Sequence, residues 1–271
     1  MVPSNTDRFR VIRGRDSRPS EAVEAPPIGV PERRPAERVR GRFQPPRTGR
    51  DARPVDVRIH PTAIVEEGVE IGPGTSVWDN VHIRHSTRIG AECIVGEKTY
   101  IAYDVRIGNR VKINAFVYIC TAVTIEDGVM VSAGTVFTND RFPRATTVDL
   151  KRLRPSEPDE QTRTTLVREG ATIGAGSVIG SDLVIGRFAM VGMGALVTKS
   201  VPDFHLAIGH PARSVGCVCR CGQALLRFPK DGTVAFERIA CEACGLAYAV
   251  QGGVVTELTP PGQGRGDVTE S

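Results

Sequence analysis

Four groups of side chains in this 271-residue sequence are of types that do chemistry. His82 lies on Val77-Trp78-Asp79-Asn80-Val81-His82-Ile83, one position after a regularly placed aliphatic residue. An imidazole there points outward and takes a proton near neutrality, so it is a candidate general base or orienting group. Asn114 offers an amide that donates to a carbonyl or hydroxyl oxygen. Asn139, Asp140, Arg141 and Arg144 fall close together, where a carboxylate suits an ammonium or hydroxyl and guanidinium forks suit a diphosphate. Cys219 and Cys221, then Cys241 and Cys244, form two close pairs separated by nineteen residues, each followed by Gly. That spacing suits a four-thiolate structural zinc ribbon; a small β-hairpin cap with free thiols is the alternative.

The elements that must position these groups follow from a strict period. An aliphatic residue recurs every six positions from Ile59 to Val131, thirteen times in one phase, and again from Val167 to Val197. A second small or β-branched residue follows four places later, as at Val81, Thr87, Cys93, Thr99 and Val105. A period of six does not track a helical turn of ~3.6 residues, so an amphipathic helix is excluded. Short strands with Gly at the corners predict an all-β fold, a parallel β-helix whose coils bury one another's apolar edges. Three hexapeptides would close one triangular coil, giving about six coils and, at ~4.8 Å between strands, a prism about 30 Å tall. The β-helix is expected over residues 55–213, interrupted by a non-repeating insertion at 137–166, long enough to expect a function.

The flanks differ in composition. Residues 1–54 hold thirteen Arg against seven Asp plus Glu and show no periodicity, which predicts a disordered arm of about +6. The excess base of the chain is thus in the arm, and nothing in the fold domain points to nucleic acid. Residues 214–252 are expected to form the Cys-rich cap and 253–271 a flexible tail. No apolar run approaches the ~20 residues of a membrane span, and the N-terminus lacks the apolar core of a secretory signal, so a cytoplasmic protein is expected. In a reducing compartment the clustered cysteines read as metal ligands before disulfides.

The repeat resembles that of the hexapeptide acyltransferase superfamily, whose members wind as left-handed parallel β-helices and usually form trimers. Within it, Val77–Ile83, the Asn139-Asp140-Arg141-Phe142-Pro143-Arg144 stretch, Thr165–Gly174 and Gly209-His210-Pro211-Ala212-Arg213 are similar to the 3-amino nucleotide-sugar N-acetyltransferases of surface-polysaccharide biosynthesis. The resemblance spans about residues 57–250. It implies transfer of an acetyl group from acetyl-CoA to the amine of a nucleotide-linked amino sugar, in a homotrimer with the donor held between subunits. Gly192, Gly194 and Ala195 would then admit the pantetheine arm, and Lys199 and Arg213 would meet the phosphates.

Such an enzyme holds an amine against an already activated thioester and stabilises the oxyanion. A sugar amine is less basic than Lys, whose reference pKa is ≈ 10.4, so strong base catalysis is optional. Where these relatives carry Gln-Asn-Asn after Val111-Lys112-Ile113, this chain reads Asn114-Ala115-Phe116. O-acetylation, which would depend more steeply on His82, and a non-catalytic scaffold remain as alternatives. Hydration chemistry on this fold needs three His around a metal, and residues 105–136 contain none.

Overall fold

The computed structural model describes residues 56–155, 158, 162–229 and 234–260; the arm at 1–54 lies outside them. Among the described residues there is no helix, and the strands assemble as a parallel β-solenoid, consistent with the expected left-handed β-helix. Each hexapeptide gives one strand of two or three residues, and every third strand pairs in parallel. Arg58 thus stands beside Ser76, His82 beside Tyr100, and Arg88 beside Arg106.

Three walls result. The first runs from Arg58–Ile59 up to Met190–Val191 and the second from Ile64–Val65 to Leu196–Val197, each with seven rungs; the third has six, from Glu70–Ile71 to Leu183–Ile185. The stack is therefore slightly taller than the six coils expected.

Both repeating positions point inward. Ile83, Val95, Ile101, Val105, Ile119, Val131, Ile173 and Ile185 are fully buried, whereas Ile59, on the first rung, is 44% exposed because no coil lies beneath it. Cys93 packs in the core as expected, its thiol donating to the Gly108 carbonyl at 3.1 Å. Inward hydroxyls close the corners: Thr75 Oγ1 donates to the Gly90 carbonyl (2.8 Å) and accepts from the Cys93 N–H (3.0 Å). At Thr75 and Thr87 the buried hydroxyl thereby finds its partner one coil up.

The corner glycines do two different jobs. A Cβ on Gly90 would lie 2.5 Å from the Gly108 carbonyl oxygen, so glycine there permits close stacking of coils. The left-handed residue comes later in each corner, and it is often not glycine, as at Asn80 (φ 55°) and Phe116 (φ 58°).

The insertion is slightly shorter than expected. Phe137 is fully buried on the second wall, and Thr165–Val167 already pairs with Val123–Ile125, so the loop proper is 138–164. At the far end the first wall continues without a break. His205–Gly209 adds in parallel, then Ala212–Val218 and Ala224–Arg227 add antiparallel, so the expected boundary at 213/214 falls inside a strand.

A separate three-stranded sheet, Ala235–Ala240, Ala247–Gln251 and Val254–Glu257, completes the cap. Its last strand corrects the expected flexible tail from 253. Gly252 and Gly253, both at positive φ (57° and 80°), make a two-residue hairpin turn, and Val255 is buried beyond it.

Candidate active site

The second wall carries an outward ladder that the 18-residue coil brings into line: His82, Tyr100 and Tyr118 occupy one position on successive rungs. The His82 ring meets Tyr100 edge-on (centroids 5.4 Å), and Tyr100 and Tyr118 stack at 5.4 Å. Beside them Glu66 ties the rungs together. Its Oε1 lies 2.9 Å from His82 Nε2 and 2.6 Å from Arg84 Nε, and its Oε2 accepts from the His85 backbone N–H at 3.0 Å.

The bond from Arg84, with that N–H adding, holds the Glu66 carboxyl down at about 2, so it is a carboxylate at neutral pH. A carboxylate only accepts, so neutral His82 presents Nε2–H to it and keeps its lone pair on Nδ1, the arrangement of an oriented base. Arg84 Nη1 in turn donates to the Tyr100 hydroxyl at 2.9 Å. That oxygen accepts, and its own proton is left to donate elsewhere.

The inserted loop folds over this ladder. Between the two lies a cavity of about 560 Å³. Arg84, Tyr100, Tyr118 and Thr121 contribute from the wall side, and Asn139, Asp140, Arg144 and Arg154 from the loop. The base of the loop is pinned by a bridge between Asp140 and Thr162 and by the Arg154 guanidinium on the Phe142 carbonyl (3.0 Å). The Thr121 hydroxyl is buried against the cavity and has no hydrogen-bond partner among the described residues. Cys120 also lines the space, but burial pushes its thiol up to about 12, so it is neutral and inert.

The predicted residues divide accordingly. Asn139, Asp140 and Arg144 meet in the cavity, and His82 stands against its wall through Tyr100. Arg141 does not join them; its guanidinium lies over the Phe142 ring at 5.4 Å, away from the lining. Asn114 lines a different depression of about 340 Å³, with Trp78, Ile94, Gly96 and Ala133, at the edge between the first and second walls.

Of the positions assigned to a pantetheine arm, Ala195 is a companion residue of the repeat, 1% exposed, with its methyl in the core. Gly192 makes room for Ile208, whose Cγ2 would lie 2.6 Å from an added Cβ. Gly194 faces open space at φ 66°, and Lys199 and Arg213 are exposed, Arg213 donating to the Ala212 carbonyl at 2.8 Å. None of these five lines the cavity under the loop.

Sequence reasoning missed Glu66, Arg84, Tyr100, Tyr118 and Thr121. The signal for most of them was available. Glu66 and Arg84 stand eighteen residues apart, as do His82, Tyr100 and Tyr118, so one coil length places each beside the next.

In the cap, the four expected thiols converge. All four sulfurs lie within 4.8 Å of one another, with Cys219 and Cys244 3.4 Å apart and Cys221 and Cys241 3.6 Å apart. A tetrahedral zinc with Zn–S bonds of ~2.3 Å has sulfur–sulfur edges of about 3.8 Å, so the set has the right size and number for one ion. A disulfide would need ~2.05 Å.

The fold and its loop-roofed cavity thus define a hexapeptide-repeat β-helix with one candidate site on its second wall. Residues 68–103 and 104–139 match the bacterial transferase hexapeptide (six repeats) family. Over 94 residues the chain is 40% identical to the dTDP-3-amino-3,6-dideoxy-alpha-D-galactopyranose 3-N-acetyltransferase of Aneurinibacillus thermoaerophilus. That alignment covers 35% of this chain and 45% of the relative, so the chain spans just under half of the relative's length.

Among solved structures, a mutant GDP-perosamine N-acetyl transferase from Caulobacter crescentus, in complex with CoA and GDP-perosamine, is 21% identical at a TM-score of 0.38, covering 60% of this chain and 58% of that one. A mutant of AntD, an N-acyltransferase from Bacillus cereus, in complex with dTDP and Coenzyme A, is 20% identical at 0.38, covering 60% and 82%. Scores this low carry no residue-by-residue correspondence.

Proposed function

We propose that this protein transfers an acetyl group from acetyl-CoA to the amine of a nucleotide-linked amino sugar. The observation that carries this reading is the cavity in which a carboxylate, Asp140, two guanidinium groups, Arg144 and Arg154, and an aromatic wall, Tyr100 and Tyr118, face one space beside an oriented imidazole. Those groups suit a sugar amine, a diphosphate and a nucleobase or sugar face respectively. The 40% identity over 94 residues to a nucleotide-sugar 3-N-acetyltransferase supports the same class.

In the reaction the amine, as its free base, attacks the thioester carbonyl while Asp140 and the unpartnered Thr121 hydroxyl hold the sugar. The free proton of the Tyr100 hydroxyl is available for the developing oxyanion or a sugar oxygen. As the C–N bond forms, His82 Nδ1, behind Tyr100 at the cavity wall, takes the ammonium proton through a water, and Glu66 stabilises the imidazolium. The coenzyme thiolate leaves and is protonated.

Asn114 and Gly194 lie apart from this cavity in one chain, and a homotrimer would bring them to a neighbour's site. The exposed apolar side chains Trp78, Ile94, Phe116 and Met193 near the edge between the first and second walls supply a surface for such packing. A cytoplasmic location is proposed with this function; the seven cysteines, all free, suit a reducing compartment. A zinc in the cap would be structural, because a closed four-sulfur set leaves no open coordination position.

The test is thiol release from acetyl-CoA by the purified protein across a panel of nucleotide-linked 3-amino and 4-amino sugars. Release with an amino sugar, absent with its hydroxyl counterpart, is expected. Release with hydroxyl acceptors alone would establish O-acetylation instead, and failure to bind CoA in the assembled oligomer would overturn the reading.

A further inference from the structure

The C-terminal cap holds a site outside the transfer chemistry. The geometry points to one zinc ion bound by Cys219, Cys221, Cys241 and Cys244 and acting as the clamp that fixes the cap to the open end of the β-helix.

Cys219 and Cys221 follow Ala212–Val218, a strand continuous with the first wall, whereas Cys241 and Cys244 sit in the turn between Ala235–Ala240 and Ala247–Gln251, in the separate sheet. Among the described residues the two sheets share no strand pairing. An ion among the four sulfurs would therefore bond the solenoid to the cap directly.

Both cysteine turns are shaped for it. The Gly222 N–H bonds the Cys219 carbonyl and the Gly245 N–H the Cys241 carbonyl, both at 2.8 Å, with Gly222 and Gly245 at φ 91° and 76°. These tight turns are what bring the two sulfurs of each pair to one side.

A further contact orients the first ligand. The Tyr248 side chain is fully buried, and its hydroxyl accepts the Arg220 backbone N–H at 3.0 Å, which leaves its own proton to donate to Cys219 Sγ at 3.2 Å. Tyr248 also packs against Phe204 at the end of the solenoid (centroids 5.4 Å). A buried O–H aimed at a sulfur is the outer support expected around a metal-bound thiolate.

The apolar core beneath is small. The cap's buried core is Phe204, Val234, Tyr248, Val250, Val255 and three of the seven cysteines, with partly buried side chains such as Phe188, Leu226 and Ile239 packed against it. A core this small ordinarily needs a staple, and here the staple is the metal. Closing the end also covers Phe188 and Phe204, which stack at 5.5 Å on the last corners.

The experiment uses the full chain, purified under reducing conditions. Elemental analysis is expected to find one zinc per chain. Replacement by cobalt(II) is expected to give the intense visible bands of a tetrahedral site together with thiolate-to-cobalt charge transfer. Cys221→Ser and Cys244→Ser, at the two exposed ligand positions, should each lose the stoichiometric ion; Cys217→Ala, a buried cysteine outside the set, should keep it.

Chelation should open residues 234–260 to protease while the β-helix stays folded. A metal content well below one per chain, an unchanged cap after the ion is removed, or pairwise oxidation of the four thiols in protein denatured without reductant would each overturn the proposal. None of these readouts depends on acyl transfer. If a serine variant fails to fold, the cobalt spectrum and thiol count of the unaltered chain still decide the question.

Discussion

Glu66 touches no substrate group in the proposed reaction; it acts through the imidazole it orients and, by way of Arg84, beside the Tyr100 hydroxyl, and a double-mutant cycle tests which route dominates. Replacing His82 with Ala removes the base. A positioned general base contributes about 10²- to 10⁴-fold, or ~2.7–5.4 kcal/mol of barrier. Because an uncharged fraction of the sugar amine already exists, the lower end is expected. Glu66→Gln keeps the length of the side chain but removes the charge that sits 2.9 Å from His82 Nε2 and 2.6 Å from Arg84. Without that charge the imidazole is less firmly oriented, so kcat/KM should fall by about tenfold, less than in His82→Ala.

If Glu66 acts chiefly by orienting His82, its loss has little left to disturb once the imidazole is gone, the Arg84–Tyr100 contact being all that remains. The double variant should then be within about threefold of His82→Ala alone, giving a coupling energy close to the whole effect of Glu66→Gln. The assay is thiol release at limiting acceptor, with thermal melting of each variant to separate folding from catalysis. Losses that multiply in the double variant would refute the dyad, and a His82→Ala enzyme within about threefold of wild type would refute the base.

Three further outcomes follow from the same contacts. Arg144→Ala, which removes a guanidinium from the cavity, should raise KM for the nucleotide sugar by about tenfold or more with kcat little changed, since phosphate binding is common to ground and transition states; a fall in kcat at constant KM would contradict it. Thr75→Val leaves the Cys93 N–H and Gly90 carbonyl without the hydroxyl between them and should cost about 1–3 kcal/mol in urea unfolding, whereas a neutral result would mean the corner repacks. Glu66, held at about 2 against an ordinary 4.5, contributes stability above pH 4.5 that is lost as pH falls toward 2; Glu66→Gln should remove that part of the acid dependence of the melting temperature, and an unchanged slope there would count against the pairing with Arg84.

How much was legible depended on whether a contact repeats. Val81, Cys93 and Val105 could be placed in the core from sequence because each inward position is defined by its own hexapeptide and by the identical unit above it. The four cap thiols were legible because short Cys spacings with Gly constrain their own turns. Arg141 and Ala195 lie outside the cavity for opposite reasons. Ala195 obeys the repeat and so turns inward, while Arg141 lies in a loop with no period, where a cation–π contact with Phe142 decides its direction.

By itself the sequence determined the period, hence the three walls, the inward ladder and the register, since stacking coils eighteen residues long leaves one phase that buries every aliphatic residue. It also determined that a loop interrupts the stack and that four cysteines could meet. Only the tertiary structure decided what the inserted loop brings to the outward ladder. Neighbours on the outer wall come from different coils, and the inserted loop is free of the repeat. The eighteen-residue spacing sets Glu66 beside Arg84 and puts His82, Tyr100 and Tyr118 in line, but that Asp140 and Arg144 fold down upon that wall is fixed by through-space contacts that no local pattern encodes.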